Sequence, residues 1–367
     1  MIIRTSVLIV IIFLSVHHQS SAAYLDEEIY KELNIDSVVE AVPDDVNEII
    51  GSYDILSGQG LLSALENLQE KMIAAIREQV LSAAEPVIKT FMIIVICSLV
   101  SLMMPDKNFE FPTILVGCTA ISYLNLSEAH SFFSDSIEMI QKIYDFSTAL
   151  LPCLAGASVF TGATMSAGIK YTAAAVFMNL LLNFSNTVLV PFIKMYLVCM
   201  LGDCIFKQPI LGTVSNVIHK ASIMFLTGSV MLFTTYLSVA GLVTGTGELF
   251  ASRIARTTLS NGLPIVGKII SDTASTMVAG ASLLRNGIGV FGMLVLIGIL
   301  IIPIVSIGLR YMLFKLLSNV NDFWSEQRFT KLMKGLSDGY GMMLAIVGSG
   351  FIMMFFTLLS FMQLTGV

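Results

Sequence analysis

Apolar residues are concentrated in long blocks along the 367-residue chain. Five blocks run for about 18 residues or more with at most one charge, close to the roughly 20 residues that a helix needs to cross a hydrocarbon core. They are Val87–Met104, Ala173–Val190, Ala221–Val243, Gly287–Leu309 and Met342–Leu364. Phe111–Leu126 and the small-residue segment Phe146–Gly168 are weaker candidates. The pattern predicts an all-α fold, a polytopic membrane helix bundle of about seven or eight transmembrane helices.

The overall composition supports the same conclusion. Apolar residues make up 55% of the chain and charged residues only 13%, whereas charged residues are roughly a quarter of an ordinary soluble domain. A water-soluble fold could not bury so much apolar surface.

The first 23 residues have the pattern of a signal peptide. Arg4 gives a positive start, Val7–Leu14 forms a short apolar core, and small residues at positions 21–23 provide a cleavage pattern. We therefore predict a signal peptide over residues 1–23. A retained signal anchor is the alternative.

The next segment, residues 24–85, is strongly acidic. It contains fourteen Asp or Glu residues against three Lys or Arg, whereas the rest of the chain is net positive. Because basic loops are retained in the cytoplasm while acidic segments cross freely, we expect residues 24–85 to be extracytoplasmic.

Part of this acidic segment has helical periodicity. Apolar residues recur every three or four positions, with charged residues between them, which predicts an amphipathic helix. The apolar positions are Leu61, Leu65, Leu68, Met72, Ile76 and Val80. Such a helix could lie on the membrane or the protein's own surface, or could be offered to a partner outside the membrane.

An internal repeat appears when Leu151–Leu201 is laid over Leu263–Leu313 at an offset of 112 residues. The aligned pairs are Pro152 with Pro264, Thr161 with Thr273, Thr164 with Thr276, Gly168 with Gly280, and Pro191 with Pro303. We expect two membrane helices in residues 86–145, a first copy in 146–250 and a second in 251–367.

The prolines Pro191 and Pro303 are expected to bend the long helix of each copy, because proline removes a backbone hydrogen bond. If the small-residue segment of each copy spans the membrane, the copies are inverted; if it re-enters, they are parallel. Basic residues around Arg253 and after Leu309 favour spanning and inverted copies.

Polar residues in the second copy mark a candidate site. Lys268 and Asp272 are four residues apart, so on a helix they share one face and can pair. A charge at membrane depth normally faces a partner or a watery cavity. The pair either lines a polar interface between the copies or fixes two helices together.

Other chemistry is not indicated. We find no nucleophile with a base at a recognisable spacing, no metal-ligand motif, no cofactor motif and no basic, aromatic-interleaved patch, so we expect neither an enzyme nor a nucleic-acid-binding protein. The spacing of Gly287, Gly289 and Gly292 matches a nucleotide-binding motif, but its position before an apolar 20-mer favours close helix packing.

One stretch resembles a known family. The run from Arg256 through Pro264, Gly267 and Lys268 to Asp272 is similar to the stage III sporulation protein AE family of endospore-forming bacteria. The run Leu283 to Asn286, which includes Arg285, and then Gly289 extend the similarity, as does the order of signal peptide, polar segment and membrane helices.

This resemblance implies a mother-cell membrane component of the channel, or feeding conduit, that links mother cell and forespore and supports late forespore gene expression. The implied partners are other products of the stage III sporulation operon, a forespore membrane protein and membrane lipid. A non-conducting scaffold and a secondary transporter unrelated to sporulation are the alternatives. The residues expected to line the channel or the interface between the copies are Pro264, Gly267, Lys268, Asp272, Arg285, Asn286, Pro152, Thr164 and Gly168.

Overall fold

The computed structural model describes residues 33–50, 61–103, 107–161, 163–206, 209–262, 266–322 and 327–362, and the regular elements among these are helical. Two short helices come first, α1 (Ile35–Glu40) and α2 (Asp44–Ile50). The longer helices are α3 (Leu61–Met103), α4 (Lys107–Phe160), α5 (Thr164–Phe184), α6 (Val190–Phe206), α7 (Pro209–Gly262), α8 (Val266–Asn321) and α9 (Gln327–Met362). A π-helical turn, Ser185–Leu189, joins α5 to α6.

Six segments in the described part of the chain are long and apolar enough to cross a membrane. They are Glu66–Met103, Ser134–Phe160, Thr164–Phe206, Ile210–Val239, Arg285–Asn321 and Gln327–Met362. A shorter apolar stretch, Phe111–Asn125, lies within α4. The prediction of an all-α, polytopic membrane bundle is confirmed, while the count of seven or eight spans and the duplication stay predictions.

Helices α8 and α9 form an antiparallel pair at the centre of the bundle. Near the connection, the Ser318 hydroxyl donates to the carbonyl of Thr330 over 3.3 Å. At the far end, Met362 lies against Gly289, where a β-carbon would come within 2.8 Å of its side chain. The two helices therefore stay in contact along nearly the whole of α9.

Helix α4 packs beside this pair and runs in the same direction as α9. The ring of Phe329, at the start of α9, lies next to Gly117 of α4. Farther along, Leu150 of α4 and Leu358 of α9 both approach Gly292. Glycine at these positions lets the helices come close enough to interdigitate their side chains.

The first two helices pack against the bundle. Val46 lies against Gly298 of α8, where an added β-carbon would be 2.6 Å from its side chain. Lys142 of α4 forms an ion pair with Asp45 over 3.2 Å. An apolar stripe on this part of the acidic segment is buried and consists of Leu33, Ile35, Val38, Val42 and Val46.

Helix α3 continues without a break across position 85. The predicted amphipathic helix over residues 61–80 is thus the beginning of a longer helix that leads into the first apolar block. Of its apolar stripe, Leu68 is buried, whereas Val80 is 40% exposed.

The two predicted copies differ in where their helices break. In the first copy α4 ends at Phe160 and α5 begins at Thr164, and the π-turn ends at Leu189, two residues before Pro191. A wider turn accommodates a proline ring that would collide with the carbonyl four residues earlier. In the second copy α8 runs unbroken through the equivalent positions, including Pro303.

Candidate functional site at one end of the bundle

Polar side chains meet where α4 ends, α5 begins and α9 ends, beside the part of α8 that carries Arg285. The Nη1 atom of Arg285 donates to the Thr161 hydroxyl over 3.2 Å. Nearby, the Nζ atom of Lys170 on α5 donates to the Ser360 carbonyl of α9 over 2.7 Å. Two basic side chains therefore lie at the same end of the apolar bundle.

Arg285 is the most unusual of these residues because it is fully buried, with 0% of its surface exposed. Its Nε and Nη2 atoms have no hydrogen-bond partner, and no ion pair within the described residues includes it. Buried guanidinium groups are normally paired with carboxylates or fully hydrogen-bonded. In Arg285, by contrast, only one of the three guanidinium nitrogens donates a hydrogen bond to the protein.

Thr161 is held in place by its own contacts. It lies in the turn after α4, and its hydroxyl donates to the Ser158 carbonyl over 2.7 Å. The hydroxyl therefore has its lone pairs available to accept from Arg285. The Ser158 hydroxyl in turn donates to the Leu154 carbonyl, which fixes the last turns of α4.

Lys170 has a structural explanation that Arg285 lacks. The Ser360 carbonyl belongs to the last turn of α9, where helix carbonyls have no partner within the helix. A buried ammonium at this position satisfies one of these carbonyls and suits the negative end of the helix dipole. Lys170 is only 3% exposed.

Of the predicted site residues, the structure brings Arg285 to Thr161, three residues before Thr164. Asn286 follows on α8, and its Oδ1 atom is buried with no hydrogen-bond partner. Thr164 begins α5, and the space around Gly168 is open. Pro152 lies inside α4, two turns before the polar end.

The remaining predicted residues lie largely outside the described part of the chain. Pro264 is not among the described residues, and for Gly267, Lys268 and Asp272 only the helical backbone of α8 is described. The pairing of Lys268 with Asp272 stays a prediction. Asp272 precedes Arg285 by thirteen residues, which is roughly 20 Å along a helix.

Sequence reasoning missed Lys170 and Arg310. Arg310 is buried and donates to the Ser306 hydroxyl over 2.8 Å and to the Ser82 hydroxyl over 3.3 Å. The contact between Arg310 and Ser306 could have been predicted, because residues four apart lie on the same face of a helix. The contacts of Arg310 with Ser82 and of Lys170 with Ser360 join different helices, so the local sequence does not indicate them.

A second polar feature lies on the outer face of α5. The Asn179 amide donates to the Tyr144 hydroxyl over 3.2 Å, and the Asn183 amide donates to the Asn179 side-chain oxygen over 2.5 Å. Together with Thr187 they line an open groove of about 730 Å³. Exposed amides on an apolar span are costly in lipid and often make contacts between helices.

Comparison with known proteins gives one consistent family. The family model described as stage III sporulation protein AE matches residues 46–365. The chain is 21% identical over 313 residues to the stage III sporulation protein AE of Bacillus subtilis (strain 168), covering 82% of this chain and 78% of that protein. No solved structure matches the chain.

Proposed function

Because the chain belongs to the stage III sporulation protein AE family, we propose that it is a membrane component of the channel complex that links mother cell and forespore. In this proposal the helix bundle is a transporter-like core needed for late forespore gene expression. The family match covers nearly all of the helices described above, so the proposal concerns the whole bundle.

One observation carries the transport part of the proposal, namely that Arg285 is buried in a helix that is apolar and long enough to cross the membrane. Charged side chains in such segments are rare, and those that occur mark ion or substrate pathways, proton relays or sensors. A protein that only anchors its partners has no need of a buried guanidinium with unused donors. Arg285 belongs to the part of α8 that is long and apolar enough to cross a membrane.

Helix α8 connects this residue to the predicted lining residues. Gly267, Lys268 and Asp272 precede Arg285 on the same helix. At 3.6 residues per turn Gly267 lies on the face of α8 that carries Arg285, whereas Lys268 and Asp272 lie on a neighbouring face. We propose that this part of α8 faces a water-accessible path.

Water-accessibility labelling tests the proposal. Single cysteines are placed through residues 267–285 of a full-length variant whose five native cysteines are replaced, and a membrane-impermeant maleimide is applied to intact membranes. The matched control is a cysteine at Val198, which is 62% exposed on the outer surface of α6 and is expected to face lipid.

A transporter-like core predicts labelling that recurs every three or four residues along α8, while position 198 stays unlabelled. Uniformly unlabelled positions on α8 would contradict a water-accessible path. Insertion of each variant is checked from its level in the membrane fraction.

A non-conducting scaffold is the second candidate function, and the ladder of Tyr144, Asn179 and Asn183 favours it. This ladder lies on the outside of the bundle, where a partner helix could satisfy its amides. Replacing Asn183 with Leu would then disrupt assembly of the complex. Under the transport proposal the same change leaves labelling of α8 unaltered.

We also propose the location and partners that family membership suggests. The chain would lie in the mother-cell membrane that surrounds the forespore, with residues 24–85 extracytoplasmic. Its partners would be other proteins of the stage III sporulation operon and a protein of the forespore membrane. Reporters placed after Val243, Arg285 and Lys334 would test this topology.

A further inference from the structure

The unused hydrogen-bonding edge of Arg285 indicates a ligand. We propose that Arg285 is an oxyanion-binding site, which takes a carboxylate or phosphate group through its Nε and Nη2 atoms. This deepens the proposed function by naming a chemical class of ligand, and it rests on that function only for its biological role. Binding itself is measurable on the purified protein.

The chemistry of the guanidinium group supports this assignment. The Nε and Nη2 atoms lie on the same edge of the planar group, and their N–H bonds point in nearly parallel directions. Two oxygens of a carboxylate or phosphate match this edge and accept both hydrogen bonds at once. The Nη1 atom, on the other side, is already bound to Thr161.

The contact with Thr161 fixes the orientation of the Arg285 guanidinium group. Its hydroxyl is fixed through Ser158, so the hydrogen bond from Nη1 restricts rotation of the Arg285 side chain. The buried edge with Nε and Nη2 is then held in one orientation, which lowers the entropy cost of binding an anion. Arg310 serves as a contrast, because both of its terminal nitrogens already donate to serine hydroxyls.

The protein itself does not provide the missing anion within the described residues. Arg285 is fully buried and takes part in none of the ion pairs there. Asp272, the predicted acidic residue of the same helix, is roughly 20 Å away along α8. A carboxylate or phosphate from a solute or from a lipid headgroup can supply the charge.

The test uses full-length protein in nanodiscs of the neutral lipid phosphatidylcholine. Inorganic phosphate and then acetate are titrated at constant ionic strength, and the midpoint of thermal unfolding is followed by circular dichroism. We expect a saturable rise in the midpoint for the wild type, because a ligand that binds only the folded state stabilises it.

Two variants at Arg285 assign that rise to the guanidinium edge. Arg285→Gln removes the charge and is expected to abolish the rise. Arg285→Lys keeps the charge but loses the paired donors, so phosphate affinity should fall about tenfold, equivalent to one charge-assisted hydrogen bond. The matched control, Arg310→Lys, should keep the wild-type response.

A parallel series in nanodiscs containing phosphatidylglycerol identifies the source of the anion. Stabilisation by this lipid without added phosphate, lost in Arg285→Gln, assigns the ligand to a lipid headgroup. Stabilisation by phosphate or acetate in neutral lipid, also lost in Arg285→Gln, assigns it to a solute.

The proposal is overturned if the wild type shows no saturable response to phosphate, acetate or anionic lipid, even if the Arg285 variants fail to fold. It is also overturned if Arg285→Gln responds as the wild type does. Either result leaves the channel proposal standing, since labelling along α8 tests that separately.

Discussion

Replacing Arg285 with methionine should stabilise the protein when no anion is bound. Methionine keeps the length and much of the volume of the side chain but removes the buried charge. In the wild type the Nε and Nη2 atoms are buried without partners. Each unsatisfied buried donor costs about 1–3 kcal/mol, so the two together cost about 2–6 kcal/mol.

The substitution also removes a favourable contact. The hydrogen bond from Nη1 to Thr161 contributes about 1.5–3 kcal/mol as a charge-assisted bond. Thr161 keeps its own hydrogen bond to the Ser158 carbonyl, so no donor is left unsatisfied there. The midpoints of these two ranges, about 4 and about 2 kcal/mol, give an expected net gain of about 2 kcal/mol in the free energy of unfolding.

The assay is equilibrium unfolding of the wild type and Arg285→Met in phosphatidylcholine nanodiscs, in a buffer free of phosphate and carboxylate. Arg310→Met is the matched control and should destabilise, because Arg310 donates to Ser306 and Ser82. A loss of about 3–5 kcal/mol in Arg285→Met, as expected when a buried ion pair is broken, would refute the reasoning by revealing a carboxylate partner within the chain.

Two further predictions concern packing. Gly298→Ala should destabilise the protein and expose the first two helices to protease, because the added β-carbon would be 2.6 Å from Val46. The control Gly308→Ala, where the added β-carbon would have nothing within 4 Å, should stabilise the protein by up to about 1 kcal/mol. Equal proteolysis of the two variants would contradict the docking of α2. The buried sulfur atoms of Cys118 and Cys204 are 2.8 Å apart. Mild oxidation should therefore join them in a disulfide within one chain, which peptide mass mapping would detect. If no disulfide forms, the packing of α4 against α6 is contradicted.

The architecture could be predicted in outline because apolar length is a strong signal in membrane proteins. The block Gly287–Leu309 lies within the span Arg285–Asn321, and the block Met342–Leu364 overlaps the span Gln327–Met362 from Met342 to Met362. Hydropathy did not predict helix continuity. Helix α4 runs through the polar residues between two expected spans, since a polar residue need not end a helix.

The candidate site could be predicted only in part. Arg285 was named through its resemblance to a family pattern, but its burial and its contact with Thr161 depend on residues 124 positions apart. Lys170 contacts Ser360 across 190 positions. No local periodicity encodes such distant contacts, which arise from how whole helices pack. The docking of Val46 against Gly298 was unforeseen for the same reason.

The most direct test of the central claim is the effect of Arg285→Gln on sporulation. The variant replaces the native protein at its own level, and a late forespore reporter and the yield of heat-resistant spores are measured beside Arg310→Lys. A transporter-like core that uses Arg285 predicts that Arg285→Gln inserts normally into the membrane but loses reporter activity and heat-resistant spores, while Arg310→Lys keeps both. Normal reporter activity and spore yield in Arg285→Gln would contradict it.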